Sequence, residues 1–147
     1  MTDSPDSSIL ADSARRFLLN SHRETVESVL DCADAVAETW DAETTGDPGA
    51  VADPLRAALD AAGVWPRLPD LLVGAVRATG RSLSASPVAA PPYVTATSRG
   101  PVLRASLSDG RLVVLLRVFE IERTSADRSQ YARGPETPEQ AVHVEFV

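Results

Sequence analysis

Arg104, Arg111, Arg117 and Arg123 recur along the apolar second half of the chain in company with Tyr93 and Phe119. Gathered on one face of a sheet, such residues bind single-stranded nucleic acid, with bases stacked on rings and phosphates held by guanidinium groups. The same guanidinium forks grip carboxylates in bidentate pairs, so an acidic protein partner suits the face equally. The purely structural alternative is a half-solvated face whose arginines pair with Glu120, Glu122 or acidic helices elsewhere. No RNA-recognition signature accompanies these residues, and a net charge of −7 opposes nucleic acid.

The remaining reactive side chains assemble no site. Cys32, His22 and His143 are too few for a Cys/His zinc cluster, and a single cysteine excludes a disulfide within the chain. His22 falls on or beside an apolar helical stripe with no nucleophile or carboxylate set beside it, and reads as packed or surface. His143 reads as the solvent side of a last strand. Cys32 stands next to Asp31 and Asp34, whose charge raises a thiol pKa and does not activate it. The pairs Asp31/Asp34, Glu24/Glu27 and Glu120/Glu122 lack a histidine or asparagine to complete a ligand set, and read as solvated surface. Ser98-Arg99-Gly100 has the makings of an anion nest but not the strand-to-helix glycine loop of a phosphate site. No catalytic, metal-binding or cofactor-binding residue is assigned, and no cofactor is expected.

The elements that position the arginines follow from periodicity. From Ser8 to Trp40 there is no Gly or Pro, and Phe17, Leu18, Val26, Val29, Ala33, Val36 and Trp40 recur at three- and four-residue spacing, giving one amphipathic helix or two. Ser21 with Glu24 is a capping box that could start the second. Asp41 to Ala50 reads as a loop. Asp53-Pro54 is read as N-cap and first position of a short helix that turns Leu55 and Leu59 inward and stops at Gly63. A further helix through Leu71, Leu72, Ala75 and Val76 ends at Gly80. Ser82 to Pro92 is an extended Ser/Ala/Pro linker leading into a strand.

The rest reads as an antiparallel meander: Tyr93 to Ser98, a turn at Arg99-Gly100, Pro101 to Leu107, a type I′ turn at Asp109-Gly110, and a third strand from Arg111 to Glu122. That turn pairs Ser108 with Arg111, and so Leu107 with Leu112, Ala105 with Val114, Leu103 with Leu116 and Pro101 with Val118, an all-apolar face for the helices. The opposite face then carries Tyr93, Arg104, Arg111, Arg117, Phe119 and Arg123. Thr124 to Pro135 reads as a mobile loop, Thr137-Pro138 with Gln140 as a capped helical turn, and Val142 to Val147 as a final strand beside the third or the first.

Size and composition set the frame. A chain of 147 residues suits a single domain, with a helical part over 8–80, the linker over 81–92 and a sheet part over 93–147. All 14 basic residues are Arg, and they face 21 acidic ones. Residues 1–80 hold 14 acids and 6 Arg, whereas residues 81–147 hold 7 acids and 8 Arg, so the excess acid belongs to the helical half. Arg codons are GC-rich, and an acidic, Lys-free chain suits a cytoplasm at molar salt, where the Debye length is only ~3 Å and carboxylate repulsion is screened. The polar, acidic start has neither the basic nor the apolar region of a signal peptide, and no apolar run approaches the ~18 residues that span a bilayer. A cytoplasmic protein of an extreme halophile, without membrane contact, is the expectation, with a GC-rich mesophile as the alternative source of the same composition.

Pro91-Pro92-Tyr93, Thr97-Ser98-Arg99-Gly100-Pro101-Val102-Leu103-Arg104, Asp109-Gly110-Arg111-Leu112-Val113-Val114 and the Arg16-Phe17-Leu18 helix together resemble a haloarchaeal family of small uncharacterised proteins, a domain of unknown function. The resemblance implies a haloarchaeal cytoplasmic protein and brings no activity with it. The expected architecture is α+β, with N-terminal helices packed on a three- to four-stranded antiparallel meander. The expected role is a non-enzymatic protein-interaction module, with a nucleic-acid-associated protein as the alternative and an enzyme with an unfamiliar site third.

Overall fold

A computed structural model describes residues 5–124 and 128–147. The long N-terminal apolar stripe divides into two helices, α1 (Pro5–Ser21) and α2 (Arg23–Ala37). The division falls at His22, which precedes α2 without a side-chain cap, so Ser21 is not the cap its pairing with Glu24 suggested. Along α2, Val26, Val29, Leu30, Ala33 and Val36 are buried, the three- and four-residue rhythm of a helix with one face in a core. α3 (Ala52–Ala61) turns Leu55 and Leu59 fully inward, with Asp53 in its first turn and Val51 at its N-cap. α4 (Leu68–Ala78) buries Leu68, Leu71, Leu72, Ala75 and Val76. Gly63 and Gly80 follow these two helices with φ of 73° and 81°, the left-handed stop that glycine adopts at little cost.

The strands form two antiparallel sheets where one was expected, and one of them takes a strand from the helical half. The larger holds β2 (Val94–Ala96), β3 (Pro101–Leu107), β4 (Gly110–Leu116) and β7 (Val142–Phe146) in the order β2-β3-β4-β7. Its inner face, with Val94, Leu103, Ala105, Leu112, Val114, Leu116 and Val142 buried, lies against the helices, chiefly through α1 on β7 and α4 on β3. The final strand pairs with β4, as expected, and puts Val142, Val144 and Phe146 on one side. Before it, Thr137 caps the short α5 (Pro138–Ala141) by accepting the Gln140 N–H at 3.3 Å.

The hairpin register differs from the expectation by two residues. Leu107 pairs with Gly110, Ala105 with Leu112 and Leu103 with Val114, so the turn residues are Ser108 and Asp109. Gly110 is already strand: a β-carbon on it would meet the Phe146 ring at 2.7 Å and the Val147 carbonyl oxygen at 2.8 Å. Its glycine serves close approach of β7, not a type I′ turn. Because side chains alternate with period two, a two-residue slip changes partners and leaves each residue on its expected face.

The expected third strand breaks after Leu116. Val118 and Phe119 are both buried, and their successive N–H groups donate to one acceptor, the Arg99 carbonyl, at 2.8 and 3.0 Å. Two neighbouring N–H groups on one carbonyl kink a strand. The chain passes into a second sheet of order β1-β6-β5, built from β1 (Thr44–Thr45), β5 (Phe119–Arg123) and β6 (Ser129–Arg133). Two expected loops therefore contribute strands: the 41–50 segment supplies β1, and the 124–135 segment supplies β6. Residues 1–4, in the polar start, and 125–127, in the segment expected as a mobile loop, lie outside the described residues.

The linker takes no regular structure but returns to the body. The Trp65 indole N–H donates to the Ala89 carbonyl at 2.9 Å, Leu83 and Ala89 pack against the core, and the Pro91-Pro92 bond is cis.

Candidate functional site: the outer face of the four-stranded sheet

Of the six residues expected on the outer face, four are there. Arg104 and Arg111 are exposed, on β3 and β4, and Tyr93 is half-buried just before β2. Ser106 pairs with Arg111 and Arg104 with Val113, which sets the two guanidinium-bearing strands side by side. Together with the linker residues Leu83, Ser84 and Pro92, these three side chains line a cleft of about 420 Å³. Arg117, half-buried, comes directly after the far end of the strand that carries Arg111. A strand advances ~3.3 Å per residue, so six residues separate the two by roughly 20 Å, and Val113 and Leu115 lie half-buried between them.

Phe119 and Arg123 do not belong to this face. Phe119 has no exposed surface and stacks obliquely on Trp40, ring centres 5.6 Å apart. Arg123 is exposed at the end of β5, in the other sheet. The kink after Leu116 accounts for both, because it ends the alternation that assigned them outward. The face thus keeps three of its four expected arginines and loses one of its two rings.

Arg104, Arg111 and Arg117 make no side-chain hydrogen bond or ion pair with any described residue. The expected pairing with Glu120 and Glu122 does not form among the described residues, since those carboxylates sit on β5. Other arginines are spent in structure. Arg23 holds Glu139 through hydrogen bonds of 2.6 and 2.9 Å. Arg81 holds Asp109 from Nε at 3.0 Å to both carboxylate oxygens. Arg133 reaches Asp34 at 2.7 Å and donates to the carbonyls of Val118 and Pro135. These guanidinium hydrogen bonds keep the Glu139 and Asp109 carboxyls below their ordinary pKa values.

Sequence reasoning missed a second cluster. Arg117 does not join Arg104 and Arg111 but lines, with Arg15, Arg99 and His143, a cleft of about 400 Å³ at the other end of the sheet. Arg99 sits on the turn that already looked like an anion nest, the one signal that pointed there. A wider acidic groove, lined by Asp34, Glu38, Asp41, Glu43 and Glu122 around Trp40, lies beside the second sheet. Among the described residues no group of three or more His, Cys, Asp or Glu is arranged to hold a metal ion.

The other candidates keep their structural roles. His22 contacts the Phe17 ring edge-on, centres 5.5 Å apart, and burial pushes its pKa below 6.5 against the opposing pull of Asp70. Cys32 is buried, which raises its thiol pKa, and Asp31 adds to the rise. The carboxylates of the three acid pairs are exposed. No helix among the described residues is long and apolar enough to cross a membrane.

The fold and this face define an α+β protein whose open sheet surface carries uncommitted guanidinium groups. The chain belongs to the family Domain of unknown function DUF7988, whose model matches residues 12–147. No curated protein and no solved structure matches it.

Proposed function

We propose that the protein is a non-enzymatic interaction module that holds an acidic segment of a protein partner on the outer face of its four-stranded sheet. The observation that carries this reading is that Arg104, Arg111 and Arg117 share that face with no side-chain partner among the described residues. Bidentate guanidinium–carboxylate pairs supply affinity and direction. Tyr93 and the half-buried Val113 and Leu115 give the segment's aliphatic parts a surface to lie on. A single-stranded nucleic acid is the second reading, favoured by the same arginines. It is weakened by the burial of Phe119, which leaves Tyr93 as the ring beside them.

The working environment belongs to the same proposal: a haloarchaeal cytoplasm. At molar salt, long-range attraction is lost within ~3 Å, so recognition depends on direct contact of the kind that guanidinium forks make.

The test is fluorescence anisotropy with two labelled probes of equal charge, a Glu/Asp-rich peptide and a single-stranded RNA. The peptide binds the wild type, and Arg104→Ala with Arg111→Ala weakens it by about tenfold or more, the value of a charge-assisted hydrogen bond. Peptide binding unchanged in that double variant overturns the reading. RNA binding that is tighter than peptide binding and lost in the same variant establishes the second reading in its place.

A further inference from the structure

Arg15, Arg99 and Arg117 come from three separate parts of the chain, and each is held in place by backbone or carbonyl hydrogen bonds. Arg15 on α1 donates from Nε to the Val142 carbonyl at 3.1 Å and from Nη2 to the Glu139 carbonyl, which fixes the guanidinium and leaves Nη1 over. Arg99 lies on a turn closed by two hydrogen bonds of 3.1 Å between Thr97 and Gly100, and its carbonyl takes the Val118 and Phe119 amides. The Arg117 N–H donates to the Ala141 carbonyl at 2.8 Å. The side chains of Arg99 and Arg117 make no hydrogen bond or ion pair with any described residue.

We propose that the cleft of about 400 Å³ lined by these three arginines and His143 is a binding site for a phosphate-bearing small molecule, a phosphomonoester or a diphosphate. Glu139, the carboxylate in the cleft lining, is hydrogen-bonded by Arg23 from outside the cluster and also feels the charge of Arg15, so it offsets only part of the positive charge there. The His143 imidazole, 3.3 Å from Glu145, stands at the exposed edge as a further hydrogen-bonding group. Like charges gathered around a cavity repel one another, and a multiply charged anion relieves that repulsion. A carboxylate is satisfied by one fork. Donors contributed by three separate segments around one cleft suit a tetrahedral oxyanion, which offers acceptors on every side. The volume exceeds that of a lone phosphate and lies within the ~300–1,000 Å³ of small-molecule sites. This site shares Leu115 and, of the arginines, only Arg117 with the peptide-binding face, and it does not depend on Arg104 or Arg111.

Titration calorimetry of the full chain with inorganic pyrophosphate, at fixed ionic strength, tests the assignment. Saturable binding of one pyrophosphate per chain is expected. Arg99→Gln and Arg117→Gln should each weaken it by about tenfold, whereas Arg104→Gln stays within about twofold of the wild type. Circular dichroism and the melting midpoint establish that each variant is folded. Absence of saturable binding, or an Arg104→Gln loss equal to that of Arg99→Gln, overturns the site; citrate bound as tightly as pyrophosphate overturns the phosphate assignment. If the wild-type chain binds the acidic peptide but no pyrophosphate, only the present inference falls.

Discussion

Gly100 sets its bare α-carbon against the carbonyl of Leu116, so close that a β-carbon built there would overlap the oxygen. Its φ of 144° is one that side-chain-bearing residues rarely adopt. Contact and dihedral act together, because the turn that ends at Gly100 delivers the Arg99 carbonyl to the kink between β4 and β5. Gly100→Ala should therefore destabilise the protein by about 3 kcal/mol or more, read as a fall in the urea midpoint at unchanged slope.

Phe119 separates a core role from a binding role. Its ring is wholly buried against Trp40, so Phe119→Ala should cost about 3–5 kcal/mol in urea unfolding. A change within about 0.5 kcal/mol, as at exposed positions, would place the ring at the surface and contradict the kink.

The pH dependence has a definite sign. Burial depresses the His22 pKa below its ordinary 6.5, so between these two values the unfolded chain binds a proton that the folded chain resists. Stability is complete above 6.5 and declines as pH falls toward the folded value. Asp109 and Glu139 act in the same direction lower down: their folded pKa values lie below the ordinary 3.8 and 4.5, and their contribution is lost as pH falls through that range. Urea midpoints measured from pH 7 to pH 3 should fall in two stages. His22→Gln should flatten the upper stage, and Asp109→Asn with Glu139→Gln the lower.

The Arg81–Asp109 pair ties the end of α4 to the β3–β4 turn, and its Nη1 also donates to the Thr79 carbonyl at 2.6 Å. The Asp109 side chain is 49% exposed, so solvent screens the pair. Asp109→Asn should lower the melting midpoint only slightly. The difference in melting midpoint between variant and wild type should shrink from dilute buffer to about 1 M KCl. For the intact protein, the proposed halophilic setting requires the opposite trend, a midpoint that rises over the same range of KCl.

What the sequence made legible was whatever local periodicity decides. The stripes of α2 and α4, the stops at Gly63 and Gly80, the Thr137 cap and the faces of β3, β4 and β7 all follow from spacing. The hairpin shows the boundary of that information: parity placed every side chain on its side, but the pairing depended on Phe146 and Val147 lying over Gly110, a contact between distant segments. The kink was invisible for the same reason. Val114, Leu116 and Val118 continue the apolar alternation through it, and what turns the chain is a carbonyl at Arg99. β6 escaped notice because Ser129, Gln130 and Arg133 are polar; it lies at the centre of a sheet whose strands keep much of their surface in solvent. Of the second arginine cluster, only Arg99 left a trace, since α1, one turn and β7 meet solely in the folded chain.

Cys32 gives the molecule a clock. It is the one thiol in the chain, it sits 8% exposed with its Sγ 3.7 Å from the Ala58 carbonyl, and burial keeps the sulfur protonated. A thiol reagent gains full access when the packing of α2 on α3 opens, so the rate of modification by a disulfide reagent reports such openings. With no competing sulfhydryl, that count sums every opening, local or global, that uncovers this one position.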